Sequence, residues 1–372
     1  LDSLTQVVLG GSVAALAVPA AHRRRALLAG AVLGTLPDLD SFPMRWMGVD
    51  AVTLVTWHRG PSHALPVLAL FGLLLWWLLR RRWSPVREAP GRWLLAIWLA
   101  LLTHPLLDAF TVYGTQLWWP LPPRPTMWSS VFIIDPAYTL PLLVAFVAVL
   151  AVGTRPVARG FLTVGLVLSS AYLGWSLLAK TLVDREARAA LAAQGLADAP
   201  FFSTPTPFNT LLWRVVALTP DGMLEGYRSL PVDRGPLRFE RHTGDTAALQ
   251  ALAQTPAVAR LRWFASGFLL ANAEGDSLLL SDLRMGAAPF YSFRYRIAER
   301  AGPQAPWTPV TPTTLPAPAE ARRIVVRGTW HRLWHEPAAS EPPFSFTRFT
   351  PTPPRRTHTM DRSLTALKET LA

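Results

Sequence analysis

Apolar residues are unevenly distributed along the chain. Six apolar runs, roughly 3–21, 26–39, 63–79, 93–109, 137–152 and 161–179, fill the first half, and from about residue 184 the pattern changes to short alternating stretches. A perpendicular membrane helix needs about 20 apolar residues, with a lower limit of about 17. The six runs therefore predict a helical membrane half, the second run being the weakest, either a short span or a re-entrant half-helix. Past 184, DREARAALAAQ (184–194) predicts a short helix. PTPFNTLLWRVVAL (205–218) and MLEGYRSLPV (223–232) predict a β-hairpin turning at Asp221-Gly222. Residues 245–254 predict a helix, 260–286 two strands around a Glu-Gly-Asp turn, and 290–298 one alternating strand. Pro-rich stretches at 301–319 and 337–354 predict irregular loops, and 361–371 predicts a terminal helix. The expected fold class is mainly α: a polytopic helical membrane domain of about six spans over 1–180, followed by a small α+β extracytoplasmic domain over 181–372.

Charge gives this pattern a direction. Loops 22–25, 80–92 and 155–159 hold ten Arg and one Glu, whereas the other connections and the N-terminus hold three Arg and six acids. The positive-inside rule makes the Arg-rich loops cytoplasmic. Six spans with both termini outside follow, in a bacterial-type inner membrane. Trp46, Trp57, Trp118, Trp119 and Trp128 on one side, with Trp76, Trp77, Trp83 and Trp93 on the other, fit two interfacial belts. The first run has no basic leader region and does not read as a signal peptide. The formal net charge of +12 is absorbed by this topology, so no nucleic-acid partner is expected and membrane lipids are. The chain has no cysteine, so any metal must be held by His and carboxylate.

The expected chemistry lies in three short phrases, GTLPDLD (34–40), HRGPSH (58–63) and THPLLD (103–108), with Asp135. Ionisable groups beside membrane spans are expensive and mark function. His104 and Asp108 are four apart and share a helix face. His58 and His63 are joined by a Gly-Pro turn, and Asp38 and Asp40 end the second run. Orientation puts all of them at one membrane depth. Imidazole with carboxylate is a ligand set for zinc and related divalent metals, holding one ion with an open position or two ions sharing a carboxylate. Asp38 or Asp40 can instead cap a helix or orient a ligand His. Asp135 precedes Pro136 and either starts a helix or joins the site. Ser62 is expected to cap the third run, and Arg59 faces either an anionic substrate or a lipid headgroup. His331 and His335 lie in no clear helix and suggest a surface or packing role.

The phrases DSLTQVVLG, GTLPDLD, HRGPSH and THPLLDAFTVYGTQLWWP, in this order over residues 1–180, resemble the membrane-bound metal-dependent hydrolases of the YdjM type. That family is described as distantly similar to zinc-dependent phospholipase C and P1-type nucleases. The resemblance implies that Asp38, His58, His63, His104 and Asp108 bind metal. Many relatives carry a Thr-His phrase near the N-terminus, where this chain has Thr5 and Gln6, which bears on a second or third ion. The function expected is a metal-dependent hydrolase acting at the outer face on a phospholipid or other lipid-linked ester, with Asp40 or Asp135 as general base. The competing readings are an ion- or proton-coupled transporter and a scaffold whose metal is structural. Against a transporter, the cluster sits near one face rather than at the midplane.

Overall fold

The computed structural model describes residues 2–121, 123–316, 320–341, 343, 344 and 346. The terminal helix expected at 361–371 lies outside the described residues. The first half is helical: α1 (Ser3–Ala17), α2 (Arg23–Thr35), α3 (Ser41–Trp46), α4 (Ala51–Trp57), α5 (Leu65–Arg82), α6 (Ser84–Glu88), α7 (Pro90–Asp108), α8 (Pro136–Val152) and α9 (Val157–Ala192). Of the three 3-10 turns that interrupt it, Ala20–His22 links α1 to α2, and two tight turns, Leu36–Asp40 and Pro61–His63, lie nearer the expected site residues. Each break has a local cause. Asp2 and Asp50 cap α1 and α4 with their carboxylates, Pro37 and Pro61 sit at the entrances of the two tight turns, and Asp135 caps α8.

Six membrane spans are not what these helices make. Among the described residues one helix, α9, is long and apolar enough to cross a membrane. A second candidate exists only if residues 51–63 and α5, bent by 51°, count as one broken span. α1, α2 and α8 have 15, 13 and 17 residues. At 1.5 Å per residue the longest of the three reaches only about 25 Å, short of a hydrocarbon core of about 30 Å. α5 and α7 reach 18 and 19 residues, but three arginines end α5, and α7 carries Arg92, His104 and Asp108. The apolar runs counted as spans continue through residues outside the helices, such as the 3-10 turn Leu36–Asp40.

α1 packs against α2, α7 and α8 and is enclosed along nearly its whole length. Its approach to α2 needs glycine: a Cβ on Gly10 would lie 2.5 Å from the Gly30 carbonyl oxygen, and one on Gly30 2.3 Å from that of Gly10. Small residues let helix backbones come this close in an apolar medium. The crossing sets the end of α2, and the Asp38 turn after it, beside α1 and α7.

The second half is dominated by sheet rather than being a small α+β unit. Among the described residues it contains two four-stranded antiparallel sheets. The first runs β1 (Phe201–Pro205), β2 (Leu212–Thr219), β3 (Gly222–Ser229), β4 (Phe239–Thr243) in chain order. After α10 (Thr246–Ala251) and α11 (Pro256–Phe264) come β5 (Leu269–Glu274), β6 (Ser277–Asp282), the short pair β7 (Gly286–Ala287) and β8 (Phe290–Tyr291), then β9 (Arg294–Glu299) and β10 (Thr308–Thr314). The second sheet has the order β10-β9-β6-β5. The expected hairpins are present, with Thr219 paired to Gly222 and Glu274 to Ser277. β10 was read as a Pro-rich loop. It is an edge strand, where Pro309 and Pro312 lose no ladder bond that matters, and its register shifts between Pro309 and Thr313. The helix expected at 184–194 is the end of α9, which runs unbroken through residue 180, and residues 260–264 belong to α11. α12 (Ala321–Trp334) holds His331 where no helix was expected.

The two halves share apolar cores. Val52 of α4 is buried with Val258, Leu261 and Tyr295, and Val112 is buried with Phe202, Val216 and Phe268.

Candidate metal centre

Four of the seven expected polar residues converge. One ligand atom each from Asp38, His63, His104 and Asp108 lies within 4.8 Å of every other. His63 Nε2 is 3.1 Å from His104 Nε2, 3.3 Å from Asp38 Oδ1 and 3.4 Å from Asp108 Oδ2. His104 Nε2 is 3.5 Å from each of the same carboxylate oxygens. Metal–ligand bonds of 2.0–2.1 Å in a tetrahedron give edges of about 3.3 Å. These five separations fit the edges of a single tetrahedral cage, and the sixth, between the Asp38 and Asp108 oxygens, is within 4.8 Å. His63, His104 and Asp108 are buried, and Asp38 alone is partly exposed.

Hydrogen bonds on the far sides of the imidazoles fix what they present to the cage. His104 Nδ1 lies 2.5 Å from the Gly34 carbonyl oxygen. A carbonyl only accepts, so Nδ1 carries the proton and the Nε2 of the neutral ring offers a lone pair. The Ser62 hydroxyl donates to Asp40 Oδ2 at 2.6 Å and so has only lone pairs for His63 Nδ1 at 3.0 Å. His63 Nδ1 must donate, and in the neutral ring its Nε2 too faces inward as a lone pair. Two imidazole lone pairs thus face each other and two carboxylate oxygens across 3.1–3.5 Å. Four acceptors so close call for positive charge between them, and the residues present fit a divalent ion.

Burial raises the Asp40 carboxyl, but hydrogen bonds from His58 and Ser62 outweigh it and hold the group below the ordinary carboxylate range. Asp40 is therefore ionised and accepts from both.

The remaining expected residues lie around this cage or away from it. His58 donates from Nδ1 to Asp40 Oδ1 at 2.7 Å, and its Nε2 is 4.0 Å from Asp38 Oδ1, so it stands beside the four rather than among them. Both Asp40 oxygens are engaged, by His58 and by Ser62. Asp135 caps α8 through the Ala137 amide and accepts from the Tyr172 hydroxyl at 2.9 Å. That engagement leaves its carboxylate in a capping role, and it is not one of the four. Ser62 does not cap α5, whose N-terminus has no side-chain cap, because the 3-10 turn aims its hydroxyl at Asp40.

Arg59 faces neither solvent nor headgroups. It is buried, with Nε 3.1 Å from Asp108 Oδ2, and Nη1 donates to Thr111 Oγ1 at 3.1 Å. Gln6 donates from Nε2 to Asp108 Oδ1 at 3.1 Å. Its place in α1, one turn before Gly10 at the crossing, was the available signal for that contact, but its partner is 102 residues away.

Residues 1–183 match the family model for the YdjM inner membrane proteins. A curated relative, the inner membrane protein YbcI of Escherichia coli (strain K12), is 39% identical over 95 residues, 26% of this chain and 52% of that protein. The chain thus spans about half the length of the curated relative it matches. No solved structure matches the chain. Over residues 1–183 the chain belongs to the YdjM inner membrane protein family.

Proposed function

We propose that the protein is a metal-dependent hydrolase of the inner membrane, with a single divalent ion, zinc by its nitrogen and oxygen donors, held by Asp38, His63, His104 and Asp108. The observation that carries this reading is the cage of four inward-facing acceptors, three of them buried. An ion held there supplies Lewis acidity to the scissile group and makes water a nucleophile near neutral pH. This chain's own residues supply the rest. Approach is from the Asp38 side, where His58 is about a quarter exposed. His58, oriented by Asp40 through Nδ1, is the group placed to carry a proton at Nε2, as a base held by a carboxylate is. Arg59 balances the charge of Asp108 behind the cage.

A lipid-linked ester or phosphoester is the substrate class the surroundings favour. Leu39, Phe42, Trp46 and Met47 follow the Asp38 turn and are exposed, Trp46 at 89%. Such side chains belong at a membrane interface. The Arg-rich loops at the start of α9 support an outer-face site under the positive-inside rule.

Metal content of the purified protein tests the reading. Wild type is expected to carry one ion per chain, with His63→Ala and His104→Ala losing it and losing hydrolysis of a phospholipid extract. A metal-free wild type sinks the proposal. A second reading, a purely structural ion, is favoured by the cage already having four protein ligands. It predicts that His58→Ala leaves hydrolysis unaffected or that wild type hydrolyses nothing, and the hydrolase reading predicts loss of turnover with metal retained.

A further inference from the structure

Residues beyond the family match have so far no part in the site. The geometry points to one: Tyr113, pinned by Arg284 of the second half, positions His58 and Arg59, so that the metal centre is completed by both halves of the chain. This rests on the metal-centre reading above.

The chain of contacts is continuous and buried. Arg284 pairs with Asp282, Nη2 to Oδ2 at 2.6 Å and Nε to Oδ1 at 2.9 Å. Its guanidinium carbon lies 4.6 Å from the Phe264 ring centroid, and Nη1 donates to the Tyr113 carbonyl at 2.9 Å. The guanidinium is neutralised by Asp282 and held in one pose, so it fixes the Tyr113 backbone rather than merely touching it. Gly114 follows with φ +95°, and a Cβ there would lie 3.4 Å from Arg284 Nη1, which ties the local turn to the same guanidinium.

The Tyr113 ring then divides the two halves. On one side it meets Phe264 and Phe293 edge-on, at centroid distances of 5.4 and 5.9 Å. On the other it meets His58 edge-on at 5.8 Å, and the Arg59 guanidinium lies 4.7 Å from its centroid. Its hydroxyl donates to the Val55 carbonyl at 2.8 Å, inside α4. One ring therefore supports two consecutive residues that the site needs in fixed poses. Arg59 needs that support: its φ is +61°, a conformation L side chains rarely adopt. Residues in such conformations persist only where the surroundings over-determine them. Here Tyr113, Thr111 and Asp108 do so, and the result is a guanidinium aimed at a cage oxygen. The second half also holds α4 directly. Arg260 donates from Nε to Thr56 Oγ1 at 3.0 Å, and Val52 is buried against α11. The direction of dependence follows, because the phrase 58–63 emerges from α4 already oriented by residues 256–295.

The test uses the full chain in detergent with cobalt(II) as probe. Tyr113→Leu removes the ring, Tyr113→Phe keeps it, Arg284→Met removes the pin, and Arg241→Ala, in an exposed pair with Asp221, is the control. Two readouts are taken: cobalt affinity with its visible absorption spectrum, and, in metal-free protein, the rate at which diethylpyrocarbonate modifies His58, read by mass spectrometry. Losing groups that orient metal ligands typically costs about 10–100-fold in affinity. Tyr113→Leu and Arg284→Met are expected to weaken cobalt about 10-fold, alter its spectrum and speed His58 modification, while Tyr113→Phe and Arg241→Ala match wild type. A folded Tyr113→Leu with wild-type spectrum, affinity and His58 rate overturns the proposal. If Arg284→Met does not fold, the Leu and Phe variants at 113 decide alone. If wild type takes up no cobalt, the metal reading fails, and the His58 rate still decides the Tyr113 role.

Discussion

The proton of one hydroxyl decides how His63 meets the cage. Ser62 gives it to Asp40, which accepts only, and so a neutral His63 donates from Nδ1 and leaves Nε2 bare. Ser62→Ala removes that instruction and leaves all four proposed ligands unsubstituted. Groups of this kind are worth about 10–100-fold in metal affinity. Ser62→Ala is expected at the lower end, near 10-fold, and Asp40→Asn, which also releases His58, at a greater loss. Competition against a chelator measures both, and unchanged affinity in the pair discards the orienting role. Asp38, His63, His104 and Asp108 were legible in the sequence because residue type and short spacing mark them. His58 carried the same signal and yet stands beside the cage, since a Gly-Pro turn hides which of two histidines points inward. Arg59 and Gln6 were legible as candidates for the site, but their common pairing with Asp108 was not, because Asp108 is brought to them only by tertiary packing.

At the level of elements, the α1–α2 crossing controls the site more than any helix end does. Gly34 lies at the crossing, its carbonyl holds His104, and the Asp38 turn begins two residues later. A Cβ at Gly30 would stand 2.3 Å from the Gly10 carbonyl oxygen and 2.5 Å from the Ala14 Cβ, neither a flexible side-chain end. Gly30→Val should therefore destabilise by about 3 kcal/mol or more, at the upper end of overpacking costs. It should also loosen metal binding, because the two helices can separate only by moving Gly34. Gly160, in α9, has nothing within 4 Å of where its Cβ would be. Gly160→Ala should raise stability by up to about 1 kcal/mol through helix propensity. Thermal melts in detergent compare the two, and a Gly30→Val protein as stable as wild type shows that the crossing is looser than its geometry. The hairpins were legible because Asp-Gly and Glu-Gly-Asp turns sit between alternating stretches. Helix length was not. Apolar runs continue through 3-10 turns, and composition cannot tell a packed 13-residue helix from a span.

For the whole molecule the decisive element is α9. Its 36 residues rise about 54 Å, well beyond a hydrocarbon core of about 30 Å. The two parts of the helix differ accordingly. Val164, Val167 and Leu168 are exposed apolar residues, as lipid contact requires, while Ala179, Val183 and Ala187 are buried against Trp213, Val215 and Leu237 of the second half. The helix thus runs from an exposed apolar segment to the sheet without a break. At its start, Arg23 donates to the Arg155 carbonyl and Arg24 to that of Ala151, which gathers the arginines of two loops at the end away from the sheets. The two ends of α9 should therefore lie on opposite sides of the membrane, with Arg159 inside and the sheets outside. The absence of native cysteine makes this directly measurable. Arg159→Cys and Asp276→Cys are both at exposed positions. In intact spheroplasts a membrane-impermeant maleimide should label the cysteine at 276 and spare the one at 159 until the membrane is opened. Labelling of both before opening would mean that α9 does not cross. Labelling of 159 alone would put the second half in the cytoplasm, and with it the mouth of the metal site.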